Sequence, residues 1–322
     1  VHHFSEVPAE PPTSCVADAV ASYEDTHGPG QPPACVIGLG GGSVLDIAKI
    51  VSLCLGHQRP ASDFFGINRV PSRGVPTILI PTTAGTGSEV TPVSVLTGTE
   101  EQVKARTWSP HLLPDLALVD PQLTDSVPPQ VTAATGIDAL VHAIEATIAK
   151  VSNPYSRALA FEAVRQLASG LREVYRDGSD QPARDAVALG SHFAGLSFAN
   201  SSCAAVHALA LPLGGRFHIA HGEANANLLA ATMRVNLPAC RDDFTRLASA
   251  MNLPDTRPEA FLDELEAIKQ DLGIPESLTA YGVTADALPD LARHAVEIRT
   301  LIEPNPVEVD EATALAIYQS CL

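Results

Sequence analysis

Asp138 and His142 stand four residues apart inside the stretch Ile137 to Lys150. On a helix that spacing puts the carboxylate and the imidazole on one face, as a first-row metal ion requires of two of its ligands. Alone, the pair also describes an ordinary surface hydrogen bond. Two further histidines change the weighing. His207 falls near the end of an Ala-rich helical run that Pro212-Leu213-Gly214-Gly215 is expected to break, and His221 stands just before Gly222 and another helix. Two helix-end histidines fourteen residues apart, with a Pro/Gly turn between them, can converge on the Asp138/His142 face. One carboxylate and three imidazoles would hold Fe2+, or alternatively Zn2+, and leave a position for a substrate oxygen. His218, three residues before His221, is an alternative ligand. His27, His57, His111, His192 and His294 are isolated and read as structural.

A second candidate is the run Gly38-Leu39-Gly40-Gly41-Gly42-Ser43, which joins an expected strand to an expected helix. Glycines there allow close backbone approach, and free N–H groups at a helix start attract phosphate, so a pyrophosphate could dock. The third glycine of the dinucleotide fingerprint is missing, and a purely steric role for the glycines carries equal weight. Further on, Pro81 to Glu89 interleaves hydroxyl and carboxylate side chains with small residues at a strand end, where open α/β sheets bind ligands. Gly87-Ser88-Glu89 lacks the second glycine of a nucleophile elbow, which disfavours serine-hydrolase chemistry. Lys104, one of four lysines, reads as a solvated surface residue on its own.

The elements that must position these groups fall into two sets. Before residue 122 the expected order is a helix over Thr13 to Asp25, a strand over Ala34 to Leu39, a helix over Ser43 to Leu55 with Ser43 as N-cap, and strands over Pro76 to Pro81 and Glu89 to Thr97. This resembles half of a doubly wound sheet. After Asp120-Pro121 the pattern turns helical: Ile137 to Lys150, Pro154 to Tyr175, Ala183 to Ala210, Glu223 to Val235 and Pro258 to Leu272. Two domains are therefore expected, 1–121 of nucleotide-binding α/β type and 122–322 helical, metal-binding and catalytic. The total of 322 residues agrees with two domains at a prior of about 150 each.

Composition narrows the partners. A net charge of −17, from 20 basic against 37 acidic residues, speaks against nucleic acid. Apolar runs such as Val75 to Pro81 stop far short of the roughly 18 residues a membrane span needs, and a cytoplasmic protein without a membrane partner is expected. Six scattered cysteines without a Cys-x-x-Cys pair read as reduced thiols.

Gly40-Gly41-Gly42-Ser43 with Asp46, Pro81 to Glu89, Asp120-Pro121, Gly136 to His142 and His207 to Asn225 run in order over nearly the whole chain. Together they resemble the iron-containing, metal-dependent (group III) alcohol dehydrogenases. The resemblance implies a dehydroquinate synthase-like fold, with the active site in the cleft between an α/β nucleotide-binding domain and a helical metal-binding domain. It implies NAD or NADP as cofactor, with Gly41, Gly42 and Ser43 on the pyrophosphate and Thr82, Thr83, Thr86 and Val93 lining the nucleotide. Lys104 becomes a cofactor contact, and Phe198 packs near the nicotinamide, although a core-filling role weighs nearly as much. The metal ligands are Asp138, His142, His207 and His221, with His207 and His221 as catalytic residues. The expected reaction moves a hydride between nicotinamide and a small alcohol/aldehyde or hydroxyacid/oxoacid pair, the metal polarising the substrate oxygen. A homo-oligomer, a dimer, is expected.

Arg216 could bind a substrate carboxylate, or equally form a helix-end salt bridge. Leu211 occupies a place where many relatives carry a histidine or tyrosine, which removes a proton relay there. The strand-helix-strand unit that usually precedes the glycine turn is largely missing. The sheet containing Ala34 to Leu39 is therefore expected to end early, with an unpaired edge and weaker hold on the adenosine half of the cofactor. A metal-free reductase of the maleylacetate reductase kind, and a shortened, catalytically silent protein with an assembly role, are the rival readings.

Overall fold

A computed structural model describes residues 1–97 and 104–322. They form two compact units, 1–83 with 87–123, and 84–86 with 124–322.

In the first unit, α1 (Ser14–His27) precedes β1 (Val36–Gly40), α2 (Gly42–His57), β2 (Gly66–Ile67), β3 (Thr77–Pro81), β4 (Val93–Thr97), β5 (Lys104–Trp108) and β6 (Leu116–Ala117). A parallel sheet runs in the order β1-β3-β6, in the register Val36↔Thr77 and Ile78↔Leu116. A second sheet, β2-β5-β4, was not anticipated from the sequence; β5 is antiparallel to β4 and parallel to β2. Of its strands only β4 falls within an expected one; β2 has two residues, and neither β2 nor β5 carries enough apolar alternation to register as a strand.

Two details correct the sequence reading. The cap of α2 is Gly41 and not Ser43, because the extended Gly41 leads directly into a helix that starts at Gly42. The stretch Glu89 to Thr97 is a strand only from Val93, and Ser88–Val90 form a single tight turn. Buried Ile50 and Leu53 of α2 pack with Val16, Phe64 and Leu96, while Leu45 and Ala48 of the same helix pack with Leu79 in a separate small cluster. Side chains alternate along β1. A Cβ at Gly38 would meet Ala48, so the glycines face α2. Ile37 and Leu39 point to the other face, where they are exposed along with Leu116 of β6.

The helical unit comprises α3 (Pro129–Ile148), α4 (Pro154–Arg176), α5 (Gln181–Ala199), α6 (Ala205–Phe217), α7 (His221–Ala250), α8 (Pro258–Asp271), α9 (Leu288–Glu297), α10 (Arg299–Ile302) and α11 (Glu311–Ser320). Starts are written in the sequence: Pro129 and Pro154 occupy first-turn positions, and Asn153 accepts from the amides of Tyr155 and Ser156 in a capping box. The helix α3 is apolar nearly all round because it is the central helix of this unit. It alone among the described residues has the length and apolarity of a membrane span, yet 83% of that window is buried inside the fold.

The run Ala183 to Ala210 is two helices and not one. The chain leaves the helix at Asn200, and the Glu145 carboxylate accepts the amides of Ala204 and Val206 at 2.7 and 2.6 Å, starting α6 there. Pro212 and Gly214-Gly215 do not break α6, which continues to Phe217. The buried carbonyl of Leu209 accepts from the Tyr318 hydroxyl at 2.5 Å. His207 thus sits in the first turn of α6 rather than near a helix end, and His221 opens α7 rather than preceding it.

Candidate metal centre

Three elements of the helical unit bring the chemistry together. Asp138 and His142 project from one face of α3, with His142 Nδ1 3.9 Å from Asp138 Oδ2. His207 Nε2 from α6 and His221 Nε2 from α7 each lie 3.6 Å from Asp138 Oδ1. The carboxylate is almost wholly buried, as are His142 and His207, while His221 is half-buried. Burial alone would raise the Asp138 pKa. His142, His221 and His207 outweigh it and hold the carboxyl well below the usual carboxylate range.

Three groups that sequence reasoning passed over complete the site. Glu145, fully buried on α3, lies 2.6 Å from His207 Nδ1. A carboxylate only accepts, so Nδ1 carries a proton and Nε2 is the nitrogen left facing Asp138. Asn225, one turn after His221, donates to Asp138 Oδ1 at 2.7 Å and has its amide nitrogen 3.3 Å from His221 Nε2. Both were findable: Glu145 follows His142 by three and Asn225 follows His221 by four, the spacings that share a helix face. Cys203 is the third. Its sulfur and one nitrogen each of His142 and His207 all lie within 4.8 Å of one another. Burial would raise its pKa, and the neighbouring His207 and His142 outweigh it and draw the thiol down to about 7. No helical spacing announces Cys203, because residues 200–204 lie between helices.

Phe198 stacks on the His142 ring, with centroids 4.4 Å apart and planes 20° apart, so it covers one face of that imidazole. The arrangement fits a cation. His142 Nδ1 and His207 Nε2 are buried without a hydrogen-bond partner, an expensive state unless their lone pairs meet a positive charge. Asp138, His207 and His221 group tightly enough to share one ion. His218 is not brought in: it is exposed, caps α6 in a left-handed conformation, and belongs to neither group of described side chains close enough to share an ion. Arg216 is exposed 3.7 Å from Asp290, the salt-bridge alternative. Leu211 is partly buried against the core.

In the first unit the glycine turn lies beside the segment after β3. The Thr82 amide donates to the Gly40 carbonyl at 2.9 Å, and a Cβ at Gly41 would stand 3.4 Å from Thr83 Oγ1. Gly42 and Ser43 form the first turn of α2, with amide N–H groups left over at its N-terminus. Thr86 is counted with the helical unit, and Val93 opens β4. Lys104 is described only as the first residue of β5.

Behind the turn, Lys49 and Asp46 of α2 fasten the following segment. Lys49 Nζ donates to Ser88 Oγ at 2.9 Å, the Thr91 carbonyl at 3.0 Å and the Val93 carbonyl at 2.7 Å. Asp46 accepts from Ser88 Oγ at 2.6 Å and the Val95 amide at 2.8 Å.

An α/β unit with a glycine turn precedes a helical unit with a buried carboxylate among three imidazoles. The family is shown by comparison. Residues 1–121 match the iron-containing alcohol dehydrogenases, and residues 132–322 match the C-terminal part of the Fe-containing alcohol dehydrogenase family. The chain belongs to the iron-containing alcohol dehydrogenase family and is an alcohol dehydrogenase-type oxidoreductase.

Among its relatives, long-chain-alcohol dehydrogenase 1 of Geobacillus thermodenitrificans is 43% identical over 329 residues, covering 99% of this chain and 82% of the relative. The 1,3-propanediol dehydrogenase of Klebsiella pneumoniae is 36% identical, covering 88% and 75%. Among solved structures, a 1,3-propanediol oxidoreductase superposes with a TM-score of 0.93 at 34% identity, covering 99% and 84%. Sulfoacetaldehyde reductase from Bifidobacterium kashiwanohense, in complex with NAD+, gives 0.90 at 30% identity, covering 99% and 82%.

Proposed function

We propose that Asp138, His142, His207 and His221 hold one divalent metal ion and that the chain uses it, with NAD(H), to interconvert a small alcohol and its aldehyde. The observation that carries this reading is the set of three imidazole nitrogens 3.6–3.9 Å from one buried carboxylate, two of them without partners. An ion on these donors supplies electrophilic polarisation to the oxygen of the substrate. The chain's own residues do the rest. Glu145 fixes the tautomer and plane of His207, Asn225 fixes Asp138, and Phe198 keeps water from one side of His142.

Gly41, Gly42 and Ser43 receive the cofactor pyrophosphate at the α2 N-terminus, and Thr82, Thr83, Thr86, Val93 and Lys104 contact the nucleotide. Support for NAD comes from the relative crystallised with NAD+, and support for an alcohol substrate from the relatives named for 1,3-propanediol and for long-chain alcohols. Arg216 is left out, being engaged with Asp290. A cytoplasmic homodimer belongs to the same reading; the six cysteines are all unpaired thiols, which suits a reducing compartment.

The test is metal content of the purified protein together with NADH and NADPH oxidation against short aldehydes. Bound metal and aldehyde-dependent NADH oxidation are expected in the unaltered chain, and the oxidation is expected to be lost in Asp138→Ala. Undiminished turnover in that variant would favour the metal-free reductase.

A further inference from the structure

The proposed centre uses Asp138 on one side of His207 and leaves a thiol on another. Cys203 is buried, His142 and His207 are each more than nine-tenths buried, and the sulfur and the two imidazoles offer three ligand atoms within 4.8 Å of one another. The His142 and His207 rings stack at 4.5 Å, so they present their edges to a common space. Each carries a buried nitrogen without a hydrogen-bond partner. Nothing on the Asp138 side accounts for a sulfur at this place, and a packing role alone would be filled by any small apolar side chain.

We propose that His142, Cys203 and His207 form a second, softer metal seat, alternative to the seat of Asp138, His142, His207 and His221, that takes ions with an affinity for thiolate such as Zn2+. This rests on the reading that the imidazoles bind metal. Two imidazoles and a thiolate are donors that zinc-class ions take readily, whereas the carboxylate-bearing seat suits a harder ion. Binding replaces the thiol proton, which leaves to solvent. The seats are mutually exclusive. With Nδ1 committed to Glu145, His207 has one nitrogen to give, and one ion at a time can hold it. The chain therefore has two metal-loaded forms, distinguished by whether sulfur is a ligand.

Co2+, a spectroscopic stand-in for Zn2+, separates this inference from the reading beneath it. One equivalent added to the metal-free full chain is expected to give visible d–d bands and a near-ultraviolet sulfur-to-cobalt charge-transfer band. Cys203→Ala loses the near-ultraviolet band and keeps the visible ones, while Asp138→Asn keeps both. Visible bands without charge transfer in the unaltered chain would overturn the thiolate seat and leave the metal centre standing. No visible bands would remove both. Persistence of the near-ultraviolet band in Cys203→Ala assigns it to another thiol, and its loss in Asp138→Asn denies the sulfur set a seat of its own; either result overturns the proposal.

Discussion

Glu145, fully buried against His207, decides which nitrogen of that ring faces Asp138. It accepts from the ring Nδ1 and from two backbone amides that start α6, so orientation and helix start are set by one carboxylate. Removing such a partner weakens metal binding by about 10- to 100-fold in comparable sites. Glu145→Gln, which keeps the volume and one acceptor, is expected to lose metal affinity in that range while its far-ultraviolet circular dichroism stays unchanged. Competition against a chromophoric chelator measures it, and an unaltered affinity would mean that His207 is oriented by packing alone.

Lys49 is a different residue-scale case, since burial pushes its pKa from 10.5 down to about 8 despite the charges of Asp46 and Glu89. Between about pH 8 and 10.5 the unfolded chain still holds a proton that the folded chain has released. Stability contributed by this group therefore rises with pH through that window. Lys49→Met strands the carbonyls of Thr91 and Val93 and the Asp46 carboxylate, at a cost of about 3–5 kcal/mol. The advantage of the unaltered chain over this variant is expected to widen from about pH 8 to 10.5 in urea titrations. Parallel pH profiles would contradict the assignment.

At the scale of elements, the centre depends on how closely α7 approaches α3. A Cβ at Gly222 would stand 1.8 Å from the Ala134 carbonyl oxygen, so the first turn of α7 lies directly on the α3 backbone. That contact sets the 3.6 Å approach of His221 to Asp138. Gly222→Ala must push the helices apart, costing about 1–3 kcal/mol as overpacking does. A lower Tm together with reduced metal content is expected, from calorimetry and elemental analysis of one preparation; normal metal content would show that His221 is placed by something other than this approach.

The strand-to-helix turn in the first unit contrasts with it. Gly40 is needed for packing, because its Cβ would lie 2.6 Å from Val44, whereas a Cβ at Gly41 meets only ordinary contact distances. Gly41→Val is therefore expected to fold and to keep its metal, but to bind nicotinamide cofactor more weakly by on the order of 1.4 kcal/mol, or tenfold. An unchanged NADH titration would take the pyrophosphate away from this turn.

For the whole molecule, all proposed metal ligands belong to the helical unit, and Gly41 to Ser43 belong to the α/β unit. Anything that binds only the folded form stabilises it by mass action, about 2.7 kcal/mol at a hundredfold excess over Kd. Metal removal by a chelator is expected to lower the melting transition of the helical unit, and re-addition of Fe2+ or Zn2+ to restore it. Calorimetric scans with and without chelator check this; an unchanged thermogram would argue against a metal held by Asp138 and the histidines.

Local chemistry made much of this legible. Pro129, Pro154 and Asn153 announce their helices because capping is satisfied within a few residues. The i, i+4 pair on α3 is visible because helix geometry is periodic. Gly41 against Ser43 as cap, Pro212 inside α6 and the break at 200–204 were not legible. The break is decided from far along the chain, where the Glu145 carboxylate accepts the amides that start α6. The same holds at the site. The sequence by itself determined the family, the α/β-then-helical order and the four metal-ligand candidates, through residue types and short spacings. Only the tertiary structure decided that Glu145 orients His207, that Asn225 ties Asp138 to His221, and that Cys203 stands beside the imidazoles. Burial and side-chain proximity depend on how α3, α6 and α7 pack, and no short-range spacing encodes that.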